Sequence, residues 1–426
     1  MANSDAQHGK DDTEITYLVE RSEPFWTQMD KFLAVFGVLM TLGQGVEINL
    51  PGVINQQISC DLELSSWQEG ILDCILYLTL AVALVISGPL SDWFGRRELI
   101  LFSLYISIPS TVVCAIVAQY YTLILSRALI GICLGLNIST GYVMITEVAS
   151  NKAVLQKIVV IAATMFPIGG VWAAGLGYLL LDLLGWRIFI LVTSLPLFVP
   201  PIFMLHFCFK GTAGKQLQDE QNQITPKGTL TVPNFVARVI KLGLFDALNL
   251  FQGWLLILLV PALIQSLKTK EAEPNSDCSV TVTQGADFLL LGTVTSASLL
   301  GKVFMHFIRE RIRFRKLQVI VASLTVLAFT GMIAKENLAV VFVTNFIVKF
   351  LNGIDSMAFE FIICDIEYLG TERFAVGSGV VNAISMAGGW LGTVMIAFIP
   401  ISYVLVTSIV LSALKILLVL SMTEVQ

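Results

Sequence analysis

Charge is scarce in this sequence. Only 13% of its 426 residues are Asp, Glu, Lys or Arg, against about 25% in a soluble globular chain. Histidine occurs three times, at His8, His206 and His306. The seven cysteines show no CxxC-type spacing, which removes the usual zinc-site pattern. A phosphate-cradling loop and a paired cysteine–histidine nucleophile are both missing, so an enzyme, a cofactor and a metal are not expected. The 26 basic residues stand against 31 acidic ones. That balance leaves no broad basic surface to neutralise phosphates, which argues against a nucleic-acid partner. Residues 1–31 are polar and acidic. A cleavable secretory signal needs a basic start and a short apolar core, and neither is there.

What fills the chain is apolar. Hydrophobic residues make up 56% and the mean hydropathy is +0.80. A helix needs about 20 apolar residues to cross a hydrocarbon core of about 30 Å. On that criterion twelve segments qualify, at 32–54, 68–89, 98–118, 121–146, 158–181, 185–208, 240–266, 285–306, 317–334, 338–361, 376–398 and 401–421. The runs are too long and too evenly apolar for alternating barrel strands. The expected fold is an all-α membrane protein: twelve transmembrane helices in two six-helix bundles. Its parts are a cytosolic tail (1–31), a first bundle (32–209), a polar Gly-, Gln- and Pro-containing cytosolic linker (210–239) and a second bundle (240–426). Basic residues set the orientation. With the amino terminus in the cytosol, 18 of the 26 fall in the tail and inner loops, and only Lys268, Lys270 and Lys335 in outer ones. Both termini are then cytosolic. Cys60 and Cys278 fall in outer loops, where a disulfide joining the halves can form. The sequence does not choose between a plasma membrane and a vesicle membrane.

One polar knot interrupts the apolar runs. It is "SGPLSDWFGRREL", residues 87–99, in the turn after the second segment. Gly88 and Gly95 permit close backbone approach and a tight turn. Asp92 can accept hydrogen bonds from a helix end. Arg96 and Arg97 can reach an acid across the bundle interface. The fourth segment carries "SRALIGICLG" with Arg127, and ends at "ITEVASNK" with Glu147; "LGWRIFIL" opens the sixth, and "CDLELSSWQEGIL" spans 60–72. The pattern G-x-L-x-D-x-x-G-R-R in that turn resembles the signature loop of the major facilitator superfamily. Together the motifs resemble its synaptic-vesicle-protein-two-related branch, relatives of the organic ion carriers. The resemblance is good over about 25–208 and weaker beyond 240. It implies two parallel repeats and alternating access. It makes Gly88, Asp92, Gly95, Arg96, Arg97 and Glu147 a conformational latch that does not touch the solute. This chain departs from the branch at Gln44, Ser150 and Val154, in "RERIRFRK" (309–316) and at Leu369.

Charges inside a bilayer are expensive and face the bundle interior or a watery cavity. The first segment presents Gln44, Glu47, Pro51 and Asn55 on one helical face. The fourth holds Arg127. The seventh has Asp246, Asn249 and Gln252, and the tenth Lys349, Asn352, Ser356 and Glu360. In the superfamily fold these four helices line the central cavity. Counted from the outer helix ends, Glu47, Asp73 and Arg127 all lie roughly 10 Å deep. A Glu47–Arg127 pair with Asp73 in reach is expected. It serves either as a charge centre for solute or proton, or as a structural ion pair. Asp246, Lys302 and Asp355 form a second set, read as structural. Arg127-x-x-x-Gly131 matches Lys349-x-x-x-Gly353 in the corresponding helix of the other half. Trp172 and Trp390 stand in matching Gly-rich stretches, as packing groups or cavity residues, and Trp67 and Trp186 read as interface belt. The sequence thus points to a monomeric secondary transporter of a small, charged organic solute, with a coupling proton or ion. The competing reading is a non-transporting binding or trafficking protein on the same scaffold.

Overall fold

The computed structural model describes residues 26–117, 119–207, 234–271, 286–308, 311–332, 338–363 and 374–422. Cys278, residues 1–25 of the tail and residues 208–233 of the linker region lie outside them.

Among the described residues the regular structure is helical. In chain order the helices are α1 (Gln28–Asp61), α2 (Ser66–Phe94), α3 (Arg96–Ile116), α4 (Tyr120–Val148), α5 (Lys152–Leu176) and α6 (Asp182–Phe207). Then come α7 (Phe235–Glu271), α8 (Ala286–Ile308), α9 (Phe314–Gly331), α10 (Leu338–Ile363), α11 (Phe374–Phe398) and α12 (Ile401–Ser421). Among the described residues ten segments are long and apolar enough to cross a membrane; one of them, Val154–Phe207, runs through most of α5 and all of α6. Below, the near face of the bundle is the one at which α1 begins.

Local chemistry sets the ends. Thr27 and Asp30 form a capping box at α1, and Ser65 and Gln68 form one at α2. Each satisfies helix-end donors that the bilayer cannot. The Asp30 carboxylate also accepts from the Ser150 backbone N–H (3.0 Å) and hydroxyl (2.7 Å), which ties α1 to the α4–α5 turn. Two reversals need glycine. Gly95 separates α2 from α3 at φ +92°, and Gly185 sits at φ +68° after a π-helical turn, Gly177–Leu181, that ends α5. Side chains rarely adopt that region.

Lipid is as apolar as leucine, so helices associate there through close van der Waals contact at small residues. The structure uses this twice over. In the first half α1 crosses α5 at Gly45 and Gly169, and α2 crosses α4 at Gly131. In the second half α7 crosses α11 at Gly388 and Gly392, and α8 crosses α10 at Gly301 and Gly353. A Cβ on Gly131 would run into the Leu76 carbonyl, and one on Gly353 into the Ser298 carbonyl. The matched Arg/Lys-x-x-x-Gly motifs therefore perform the same crossing in each half. The halves meet mainly through α2 against α11 and α5 against α8. Outward faces carry exposed apolar side chains such as Val82, Phe102, Phe203, Leu327 and Leu417.

Candidate functional site

A cavity of about 470 Å³ lies between the halves. Its walls come from the near-face portions of α2, α4, α10 and α11 and the middle of α1, α5, α7 and α8. Towards the far face it is closed. The Tyr77 ring on α2 packs on Trp254 of α7 (centroids 4.9 Å apart), and the Tyr77 hydroxyl donates to the Ile48 carbonyl at 2.8 Å. Further out, Trp67 meets Phe398 at 4.8 Å. Beside them Ala173, Ala174 and Leu181 join one apolar cluster with Phe288, Leu291 and Val294. Towards the near face the lining runs down to Asp92 and Arg96.

Five of the nine expected cavity residues line this space: Gln44, Asp246, Asn249, Lys349 and Asn352. Lys349 donates to the Gly253 carbonyl at 2.8 Å. Asn352 donates to the Asn249 carbonyl (2.8 Å) and amide oxygen (2.6 Å), and Asn249 in turn donates to Asp246 at 3.2 Å. Glu360 accepts from the Tyr142 hydroxyl at 3.4 Å, which links α4 to α10 across the halves.

Four expected residues lie elsewhere. Gln252 faces α12, donating to the Ser412 hydroxyl at 2.7 Å. Glu47, Asp73 and Arg127 do come together, but outside the cavity lining and without the expected direct pair. Asn55 bridges two of them, Asp73 and Arg127. Its amide donates to Asp73 at 2.5 Å, and its oxygen accepts from Arg127 at 3.4 Å. Arg127 lies within electrostatic reach of both acids. One Glu47 carboxylate oxygen and the Arg127 Nε and Nη1 atoms are buried without a hydrogen-bond partner. Helix rotation explains the correction: a side chain on the right face at the right depth can still point at a neighbouring helix and not at the bundle axis.

The second charge set is also rearranged. Asp355 pairs with Lys415 of α12, both buried, and Lys415 sits 4.7 Å over the Phe245 ring. Lys302 instead donates to the Ala163 carbonyl at 2.7 Å, with Glu360 and Asp246 as electrostatic neighbours. The sequence reading missed Lys415, although a lone lysine in an apolar run was a signal. It also missed Tyr77, Tyr142 and Trp254, whose importance depends on contacts between distant segments.

The polar knot forms a three-helix junction inside the first half. Arg96 grips Glu147 with two hydrogen bonds (3.0 and 2.7 Å), and also donates to Asp92 (2.5 Å) and Ser91 (3.0 Å). Arg97 donates to the Leu205 carbonyl at the end of α6 (3.1 Å). Two expectations are corrected here. The acid that Arg96 reaches, Glu147 at the end of α4, belongs to its own half. Gly88, Asp92 and Arg96 also border the cavity and are not remote from it. Gly88 makes no close approach; a Cβ there would meet nothing within 4 Å. Trp172 is about half exposed and does not line the cavity, whereas the Trp390 indole N–H is buried and unpartnered. Trp67 is exposed, but Trp186 is buried, donating to Asp61 at 3.1 Å, and is no belt residue. Cys60 is disulfide-bonded, while Cys74, Cys114 and Cys133 are free.

Two sets of helices thus repeat the same crossings around a shared mid-bundle cavity. The chain belongs to the Major Facilitator Superfamily, whose model matches residues 33–267. Among solved structures, the human organic anion transporter MFSD10 superposes with a TM-score of 0.66 at 15% identity, over 92% of this chain and 100% of that one. A D-xylose–proton symporter gives 0.69 at 13% identity, over 91% and 96%. These likenesses show the fold. In sequence, the rat synaptic vesicle 2-related protein is 23% identical over 167 residues, 39% of this chain and 30% of that protein. The chain thus matches about a third of the length of such curated relatives.

Proposed function

We propose that this protein is a secondary transporter that moves a small, charged organic solute by alternating access, with twelve spans in two bundles (32–209 and 240–426) and both termini in the cytosol. One observation carries the reading: the cavity lies between the halves, closed on the far side by Tyr77, Trp254, Trp67 and Phe398 and running to Asp92 and Arg96 at the near face. A solute site sealed from one side only is half of an alternating-access cycle. With the near face cytosolic, this is the inward-facing half. Gln44, Asp246, Asn249, Lys349 and Asn352 form the solute cavity.

The Arg96 junction with Asp92 and Glu147 is the latch that rocking must loosen. Glu47, Asp73 and Arg127 form the candidate coupling centre for a proton, since a buried acid with an unpartnered oxygen beside a guanidinium can exchange charge at low structural cost. Cys60 pairs with Cys278 across the outer face. The protein acts as a monomer, in a plasma or vesicle membrane. The scaffold-only alternative is decided by uptake in proteoliposomes. Concentrative uptake of any charged organic solute, abolished by Glu47→Gln with folded yield near normal, supports transport. Solute binding without net or exchange flux under any imposed gradient would falsify it.

A further inference from the structure

Lys349 is the odd charge of the cavity. Arg96 lies between Asp92 and Glu147. Lys302 has Glu360 and Asp246 as neighbours, and Asp246 also feels Lys415. Lys349 is 6% exposed, and its hydrogen-bond partner is the neutral Gly253 carbonyl. Among the described residues no acidic side chain acts on it. An ammonium carries three donors, and here one is used. A buried cation without a counter-charge is costly at this depth, unless a ligand supplies the missing charge.

The surroundings restrict that ligand further. The amides near Lys349 are committed to the protein: Asn352 to Asn249, and Asn249 to Asp246. Other polar groups of the lining, such as Gln44, Ser139 and Asn382, lie elsewhere along the wall. The rest of the wall is mostly apolar, with Ile48, Leu84, Phe166, Leu250, Trp254 and Met386. A cavity of about 470 Å³ is within the range of small-ligand sites. We infer that the cavity takes a small organic anion with an apolar body, its anionic head on Lys349 and its body against Trp254 and Phe166. This deepens the transporter reading and rests on it, fixing the sign and shape of the solute.

The test uses the full chain, purified in detergent, and three probes with one body: 4-phenylbutyrate, 4-phenylbutanamide and 4-phenylbutylamine. A ligand that binds only the folded state raises its melting temperature. A charge-assisted contact is worth enough for at least about tenfold tighter binding of the carboxylate than of the amide, and the amine should be weakest. Equal or stronger stabilisation by the amide or amine, or none by millimolar carboxylate, overturns the inference. Lys349→Met should erase the carboxylate preference and Lys349→Arg should retain it. A folded Lys349→Met protein that keeps the preference also overturns it. If Lys349→Met does not fold, the order of the three probes on the unsubstituted chain decides. Flux of the same probes in proteoliposomes separates the two readings. Carboxylate binding without flux leaves the anion site and removes transport. Flux of another solute without a carboxylate response does the reverse.

Discussion

The two halves share a skeleton and differ in where they put charge. Both cross their first and fifth helices, and their second and fourth, at glycines. In the first half the membrane-embedded charges Glu47, Asp73 and Arg127 lie off the cavity, and Asp92, Arg96 and Glu147 gather in the near-face junction. In the second half Asp246, Lys302, Lys349 and Glu360 face the cavity. Helix crossing is set by small residues on one helix edge. Charge placement is set by the remaining faces, which are free to diverge without disturbing the crossings. The two repeats can therefore share one skeleton while carrying different charge.

The sharpest way to break this comparison is through its buried ions. Lys415→Met leaves Asp355 buried without its counter-ion, at an expected cost of about 3–5 kcal/mol. Adding Asp355→Leu should restore most of it. Thermal melts of the two proteins in detergent read this directly; a single variant as stable as the parent would remove the pair from the structural account. In the first half, Arg127→Met should cost less, about 1–3 kcal/mol, since Asn55 already relays the contact. Its uptake should fall to background.

The repeat itself predicts a smaller, matched effect. Gly131→Leu and Gly353→Leu force helix backbones apart, and each should lose about 1–3 kcal/mol. Melting temperatures that differ widely between the two would show that the crossings are not equivalent. Next comes the junction. Arg96→Gln forfeits the bidentate grip on Glu147, and uptake should slow about tenfold. Equilibrium solute affinity should change little. A large affinity loss at unchanged rate would instead make Arg96 a solute ligand.

The smallest expected effect tests a likeness that the sequence had obscured. Arg97 donates to the Leu205 carbonyl, and Arg315 donates to the carbonyls of Leu420 and Met422. Each arginine, at the start of the third helix of its half, ties down the end of the sixth. Arg97→Ala and Arg315→Ala should each cost about 0.5–1 kcal/mol, because the contacts are partly solvated. Similar melting shifts would confirm that "RERIRFRK" keeps this tether without the glycine of its first-half counterpart.

Much of this was readable beforehand. The helix-end reckoning that put Glu47, Asp73 and Arg127 at one depth found a real cluster, since rise per residue is fixed. The same reckoning named the wrong contact, because depth says nothing about rotation: Arg127 hydrogen-bonds Asn55, which holds Asp73. Lys302 and Asp355 were grouped by depth too. Asp355 turned to α12 and Lys302 to the Ala163 carbonyl of the other half. Tyr77 and Trp254 carried no pattern at all. Their stacking exists only because α2 and α7 are brought together across the interface of the halves.

The sequence by itself determined that the chain lives in a membrane as apolar helices, that a polar knot follows the second one, and that a cation–glycine motif recurs in matching helices. Those features follow from run length, composition and spacing, which depend on bilayer thickness and helix rise alone. Only the tertiary structure decided which charges face the cavity, which are sealed between helices, and that Lys349 has no acidic partner among the described residues. Each helix can rotate and slide within the same hydropathy pattern. The choice is made by steric fit at the crossings, and that is a property of pairs of segments far apart in the chain.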